Sequence, residues 1–173
     1  MGRILVSACL AGVNCKYSGG HNLVPAIAEL VAKGKAVPVC PENLGGLKIP
    51  RPPAEIQGGN GRDVLAGRAR VVDKEGKDVT AAFLRGAAAT LAKAREIEAE
   101  LVVLKEKSPS CGSKFIYDGT FTGTKRPGFG VTTALLREHG FRVISEEEFA
   151  MSSSPGFLSG TSYPCQRPSE FCT

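Results

Sequence analysis

The sequence predicts a single-domain, three-layer α/β sandwich with a mostly parallel, Rossmann-like sheet. Short apolar runs rich in β-branched residues alternate with segments of helical periodicity, the pattern of βαβ units joined by right-handed crossovers. The chain has 173 residues, the length of one domain. An apolar share of 42% and a charged share of 23% suit a packed core and exclude a wholly disordered chain.

Residues 3–8 (RILVSA) form a run too short for a helix, which reads as a buried strand ending near Cys9. Gly12, Gly19 and Gly20 mark the loop that follows. Leu23, Ala26, Ile27, Leu30 and Val31 recur at helical spacing, so a helix is expected over 23–32, stopped by Gly34. Residues 36–40 read as a second strand, although Pro38 cannot donate to a ladder. The stretch 41–61 is dense in Pro and Gly and reads as a long functional loop. A short strand over 69–72 turns at 73–76. Asp78 or Thr80 then caps a long helix reaching about Glu98, with Leu84, Ala87, Leu91, Ala94 and Ile97 toward the core. Leu101–Leu104 is the clearest buried strand. Residues 131–139 read as a further helix closed by Gly140, and 141–144 as the last strand. From Met151 the chain turns Ser-, Pro- and Gly-rich without periodicity, so 1–150 is expected as the domain and 151–173 as a poorly ordered tail.

Gly accounts for 21 residues and Pro for 11, while aromatic residues reach only 6%, which points to a site built from tight loops on a compact scaffold. The net charge of +5 favours an anionic partner only broadly, because 17 acidic residues are spread among 22 basic ones. Basic clusters such as Lys125-Arg126 are short, and no arm built for nucleic acid is visible. No apolar run approaches the roughly 18–20 residues of a membrane helix, and no secretory pattern opens the chain. A cytoplasmic location with reduced cysteines is therefore expected.

The cysteines are Cys9, Cys15, Cys40, Cys111, Cys165 and Cys172. Reduced cysteines serve metal binding or catalysis more often than disulfide frameworks. Cys9 follows the first strand, Cys40 ends the second, and Cys111 lies seven residues beyond Leu104. Sites in open α/β sheets assemble outside the carboxyl ends of the strands, so these three thiols are expected to converge. Cys15 reads either as a fourth ligand or, preferably, as a loop thiol. With only His21 and His139 as histidines, the thiols suggest a soft centre, either an iron–sulfur cluster or zinc. A cluster held by three thiolates leaves one iron open, which suits substrate activation. The helix opening at Gly128-Phe129-Gly130 lacks the dinucleotide fingerprint and reads as a structural turn. Arg51 and Glu55 either line the site or pair at the surface.

Several segments, taken in order, resemble one family. They are Ser7-Ala8-Cys9-Leu10 with Gly12 and Tyr17, Cys40-Pro41-Glu42 with Gly45-Gly46-Leu47, and residues 50–56 (PRPPAEI). Residues 76–80 (GKDVT), 105–112 (KEKSPSCG) and Tyr117-Asp118-Gly119 with Phe121 complete the set. The chain resembles the thiouracil desulfurases from about Ile4 to Glu148, long catalogued as a domain of unknown function. Ser18 departs from the aspartate of the family pattern, and the tail matches nothing in it.

The resemblance implies a [4Fe-4S] cluster on Cys9, Cys40 and Cys111, with the fourth iron open to the substrate sulfur. It also marks Glu42 and Ser108 as the family's glutamate after Cys-Pro and the serine opening Ser-Pro-Ser-Cys-Gly. The implied activity is non-redox desulfuration of thiolated pyrimidines, such as 2-thiouracil or 4-thiouracil and their nucleosides. Glu42 is then the proton-transfer candidate, Ser108 a relay, and Ser110 and Arg51 candidates for holding the substrate. The alternatives are a non-catalytic zinc or iron–sulfur binding module, and the same chemistry on thiouridine in tRNA.

Overall fold

The computed structural model describes residues 3–152, so the expected tail lies outside the described residues except for Met151 and Ser152. β1 (Arg3–Ser7) runs into a 3-10 turn (Ala8–Ala11), followed by α1 (Pro25–Ala32), β2 (Ala36–Val39) and α2 (Pro41–Leu44). Next come β3 (Ala54–Gln57), α3 (Gly61–Leu65), β4 (Arg70–Asp73), α4 (Thr80–Glu96) and β5 (Ala99–Leu104). The hairpin β6 (Phe115–Tyr117) and β7 (Lys125–Pro127) precedes α5 (Val131–Glu138), β8 (Val143–Ser145) and α6 (Glu146–Ser152).

The principal sheet has the order β2-β1-β5-β8 and is parallel throughout. Alternate side chains leave opposite faces of a strand. Leu5, Val102, Leu104 and Val143 therefore pack with Leu91 and Ala94 of α4 and Leu136 of α5. Val6, Val103 and Ile144 pack on the other face with Ile27 of α1 and Phe149 of α6. Both faces are covered, as a parallel sheet requires, and the three-layer α/β expectation holds. A third apolar cluster, with Ile56, Val71, Phe83, Ala87 and Ile116, joins α4 to the antiparallel β3–β4 ribbon and to β6.

Three local expectations change. The first helix starts at Pro25, whose preset φ suits the opening helical position, and leaves Leu23 exposed. Residues 41–61 are not one loop, because they contain α2, β3 and the first residue of α3. These elements are short and gain their stability from partners: β3 pairs with β4 from Ala54↔Asp73 to Gln57↔Arg70, and α2 packs on α4. The buried face of α4 is also wider than the predicted stripe. It includes Phe83, Gly86 and Thr90, because α4 touches α2 and α5 as well as the sheet.

The strand order reverses between β1 and β5, since the chain leaves β1 for β2 on one side and returns to β5 on the other. Loops at their carboxyl ends diverge there and open a crevice, the position at which α/β sheets bind ligands. Ser7 Oγ accepts the Lys105 N–H at 3.0 Å across this point and ties the two strand ends together.

Candidate functional site

A cavity of about 430 Å³ occupies this crevice. Cys9 enters it from the 3-10 turn after β1, Cys40 from the N-cap of α2 after β2, and Cys111 from the loop after β5. All three predicted thiols therefore line one cavity, and so do Glu42, Arg51, Ser108 and Ser110. Cys15 lines it too. Sequence reasoning favours an ordinary loop thiol at this position; Cys15 sits in the loop between the 3-10 turn and α1, within hydrogen-bonding reach of both Cys9 and Cys40.

These contacts set the electrostatics of the thiols. The hydrogen bond from Cys15 outweighs burial and pulls Cys9 and Cys40 down to about 7. Asn22 assists at Cys9, and the backbone amide of Asn43 at Cys40. Cys15 is pushed far up by its hydrogen bonds to Cys40 and Cys9. Burial pushes Cys111 up to about 12, against hydrogen bonds from Ser110 and Ser7. A bound soft metal centre would offset that cost, since thiols give up their protons on binding metal.

The carboxylate of Glu42 is gripped by Arg51. Arg51 Nε donates to Glu42 Oε2 at 2.7 Å and Nη2 approaches the same oxygen, with both side chains largely buried. The guanidinium also donates to the carbonyls of Cys15 (3.1 Å) and Lys48 (3.2 Å), and to Asn43 Oδ1 (3.4 Å). Glu42 Oε1 points away from this clamp and accepts Ser110 Oγ at 3.3 Å. Ser110 Oγ lies 2.9 Å from Ser108 Oγ and 3.4 Å from Cys111 Sγ. Ser108 Oγ in turn accepts the N–H groups of Ser110 and Cys111, each at 3.2 Å, which fixes the turn.

Two buried carboxylates build the surrounding loops: Glu106, which the sequence did not single out, and Glu55, for which it left a place in the site or a surface pair open. Glu106 Oε1 accepts the amides of Lys107, Ser113, Lys114 and Phe115 at 3.0–3.2 Å, and its Oε2 accepts Ser113 Oγ at 2.6 Å. The loop carrying Ser108 and Cys111 is thus wrapped around one anion. Gly130 closes its other side, where a Cβ would lie 2.4 Å from the Ser110 carbonyl carbon. That close approach explains the glycine before α5 as packing, in line with the structural turn expected there. Glu55 lines the cavity as well, and it binds backbone rather than Arg51.

Among the described residues, no group of three or more His, Cys, Asp or Glu side chains is arranged to hold a single metal ion. One zinc ion draws its ligands to within about 2.0–2.3 Å. A four-iron cluster is a larger body with its thiolates further apart, and the donor set, thiols with no histidine lining the cavity, has the right chemistry for it. No helix among the described residues is long and apolar enough to cross a membrane.

A parallel sheet with a thiol-lined, carboxylate-bearing cavity at its switch point is the architecture of an α/β enzyme site. The family model for 2-thiouracil desulfurase matches residues 4–148, and the chain belongs to that family. The uncharacterized protein YbbK of Bacillus subtilis (strain 168) is 58% identical over 145 residues, covering 84% of this chain and 96% of YbbK. Among solved structures, the [4Fe-4S]-dependent thiouracil desulfidase TudS is similar with a TM-score of 0.77 and 43% identity, over 87% of this chain and 95% of that one.

Proposed function

We propose that this chain hydrolyses the carbon–sulfur bond of thiolated pyrimidines, 2-thiouracil or 4-thiouracil and their nucleosides, with a [4Fe-4S] cluster on Cys9, Cys40 and Cys111. The observation that carries the reading is the meeting of these thiols, from loops far apart in sequence, in one cavity with Glu42. The likeness to a [4Fe-4S]-dependent desulfidase supports the cofactor, and the family match ending at residue 148 supports a catalytic domain of about residues 1–150. When bound, a cluster with one iron free of protein ligand supplies a Lewis acid with affinity for the thiocarbonyl sulfur.

In the net reaction a C–S bond is exchanged for a C–O bond, and water and the thiocarbonyl yield a carbonyl and hydrogen sulfide. No electrons are gained or lost. Arg51 holds Oε2 of Glu42, while Oε1, which accepts the Ser110 hydroxyl, keeps a second lone pair to take a proton from the attacking water. Ser110 and Ser108 extend that oxygen as a pair of hydroxyls, able to carry the proton along or to hold the pyrimidine edge. Arg51 has its donors engaged by Glu42, Cys15, Lys48 and Asn43, so its effect on the substrate runs through the groups it fixes.

One observation favours a second ligand set. Cys15 lies within hydrogen-bonding reach of both Cys9 and Cys40 and shares their apolar cluster, whereas Cys111 packs in the cluster under α4 and α5. Anaerobic reconstitution of single alanine variants, followed by iron content and release of uracil and sulfide, separates the two. Loss of iron and turnover in Cys9→Ala, Cys40→Ala and Cys111→Ala, with both retained in Cys15→Ala, supports the first set. Iron lost in Cys15→Ala but kept in Cys111→Ala establishes the second. An iron-loaded protein that releases no sulfide from thiouracil rejects the function itself.

A further inference from the structure

The hairpin of β6 and β7 hangs beside the cavity, and its residues Tyr117, Phe121 and Gly123 contribute to the lining. A hairpin tip of seven residues between strands of three is a weak structure on its own. Here it is latched to β3. Glu55 Oε1 accepts the N–H of Gly119 at 3.0 Å and the N–H of Phe121 at 3.2 Å, while Gln57 Nε2 donates to the Gly119 carbonyl at 3.1 Å. Glu55 is itself buried, and no acidic or basic side chain pairs with it among the described residues. The approach is close enough that a Cβ on Gly119 would meet the Ile56 carbonyl oxygen at 2.7 Å.

Phe121 pays for its place: its φ is +57°, a left-handed conformation rarely held by a bulky residue. Such strain persists where the surroundings over-determine it, and it clusters at ligand clamps. The bond from its N–H to Glu55 fixes the Phe121 backbone there. A flat aromatic side chain on a fixed backbone at the wall of a cavity proposed to take a flat heterocycle has an evident use.

We infer that Phe121 is the stacking platform for the pyrimidine ring and that Glu55 is a positioning residue, which latches the hairpin so that the platform is preformed. The inference rests on the proposed pyrimidine substrate and adds the residues that select it. Glu55 acts as a backbone acceptor, so an amide oxygen replaces it and a methyl group does not.

The test reads the affinity of the reconstituted holoprotein for uracil by calorimetry, together with amide hydrogen exchange at Gly119 and Phe121. Neither readout needs turnover, so failure of desulfuration and failure of this inference are distinguishable. Stacking of a base on an aromatic ring is worth enough that Phe121→Ala weakens uracil binding about tenfold or more, with iron content unchanged. Phe121→Trp restores it. Glu55→Ala gives the same loss of affinity and frees both amides to exchange, whereas Glu55→Gln keeps protection and binds within about threefold of the parent. Unchanged affinity in Phe121→Ala overturns the platform. Unchanged affinity in Glu55→Ala, with both amides deprotected, overturns the positioning role.

Discussion

Glu42 and Arg51 form the most consequential pair of side chains in the molecule, because they join the chemistry to the loop architecture. Replacing Glu42 with Gln keeps the shape and a hydrogen-bond acceptor beside Arg51 but removes the base. Turnover is expected to fall about 10²–10⁴-fold with iron content intact, as measured by sulfide release from reconstituted protein. Replacing Arg51 with Met has a different signature, because it leaves a largely buried carboxylate without its partner. Breaking such a pair costs about 3–5 kcal/mol, which a urea titration resolves. Arg51→Lys keeps the charge but cannot make the fork or reach both loop carbonyls, so it is expected to recover stability more than turnover.

Glu106 gives the residue scale its pH dependence. Burial pushes its carboxyl up, but the Ser113 hydroxyl and the amides of Lys114, Phe115 and Lys107 outweigh this and hold it below its ordinary value of 4.5. A depressed folded value means that the unfolded chain takes up the proton first. The stabilisation is therefore complete above about 4.5 and is lost as the pH falls through the lower, folded value. Glu106→Gln has no such proton to take up. It is expected to be less stable at neutral pH, by about 1–3 kcal/mol, and to lose less than the parent on acidification below 4.5. Thermal melts at stepped pH check both parts.

At the scale of elements, the site depends on how closely α2 sits on α4. A Cβ on Gly86 would lie 1.9 Å from the Pro41 carbonyl oxygen, and one on Gly45 would lie 2.0 Å from that of Ala82. The two helices meet backbone to backbone, and α2 carries Cys40 at its N-cap and Glu42 in its first turn. Gly86→Ala, far from any reacting atom, must push α2 outward. We expect a stability loss of about 1–3 kcal/mol and a drop in both iron retention and turnover, whereas Gly34→Ala, strained only by its φ of +70° with nothing within 4 Å, costs stability but leaves iron and turnover alone.

The same contrast shows what could be read from the residues. β1, β5 and α4 were legible because their apolar patterns answer to a core on known faces, and the convergence of Cys9, Cys40 and Cys111 followed from strand ends alone. α2, β3, β6 and β7 were not, because each has only three or four residues and takes its form from a partner distant in sequence. Glu106 escaped, and Glu55 and Cys15 were left with two readings each, for a related reason. Their roles lie in which backbone groups or thiols come to them, and no local spacing encodes that.

For the whole molecule, the question is whether the metal makes the fold or the fold presents the metal site. Small metal domains unfold without their ion because they have little else to hold them. This chain has three apolar clusters, two of them on the two faces of a four-stranded sheet, and the loops bearing the thiols are tied by their own hydrogen bonds, through Ser7, Arg51 and Glu106. A bound cluster adds stability only through its affinity for the folded state. Chelator-treated protein is therefore expected to keep its far-UV circular dichroism and a single cooperative melt, with Tm lowered by about 2–4 °C for each kcal/mol of binding removed. A broad, non-cooperative transition after chelation would instead show that the thiol loops and the sheet fold as one metal-dependent unit.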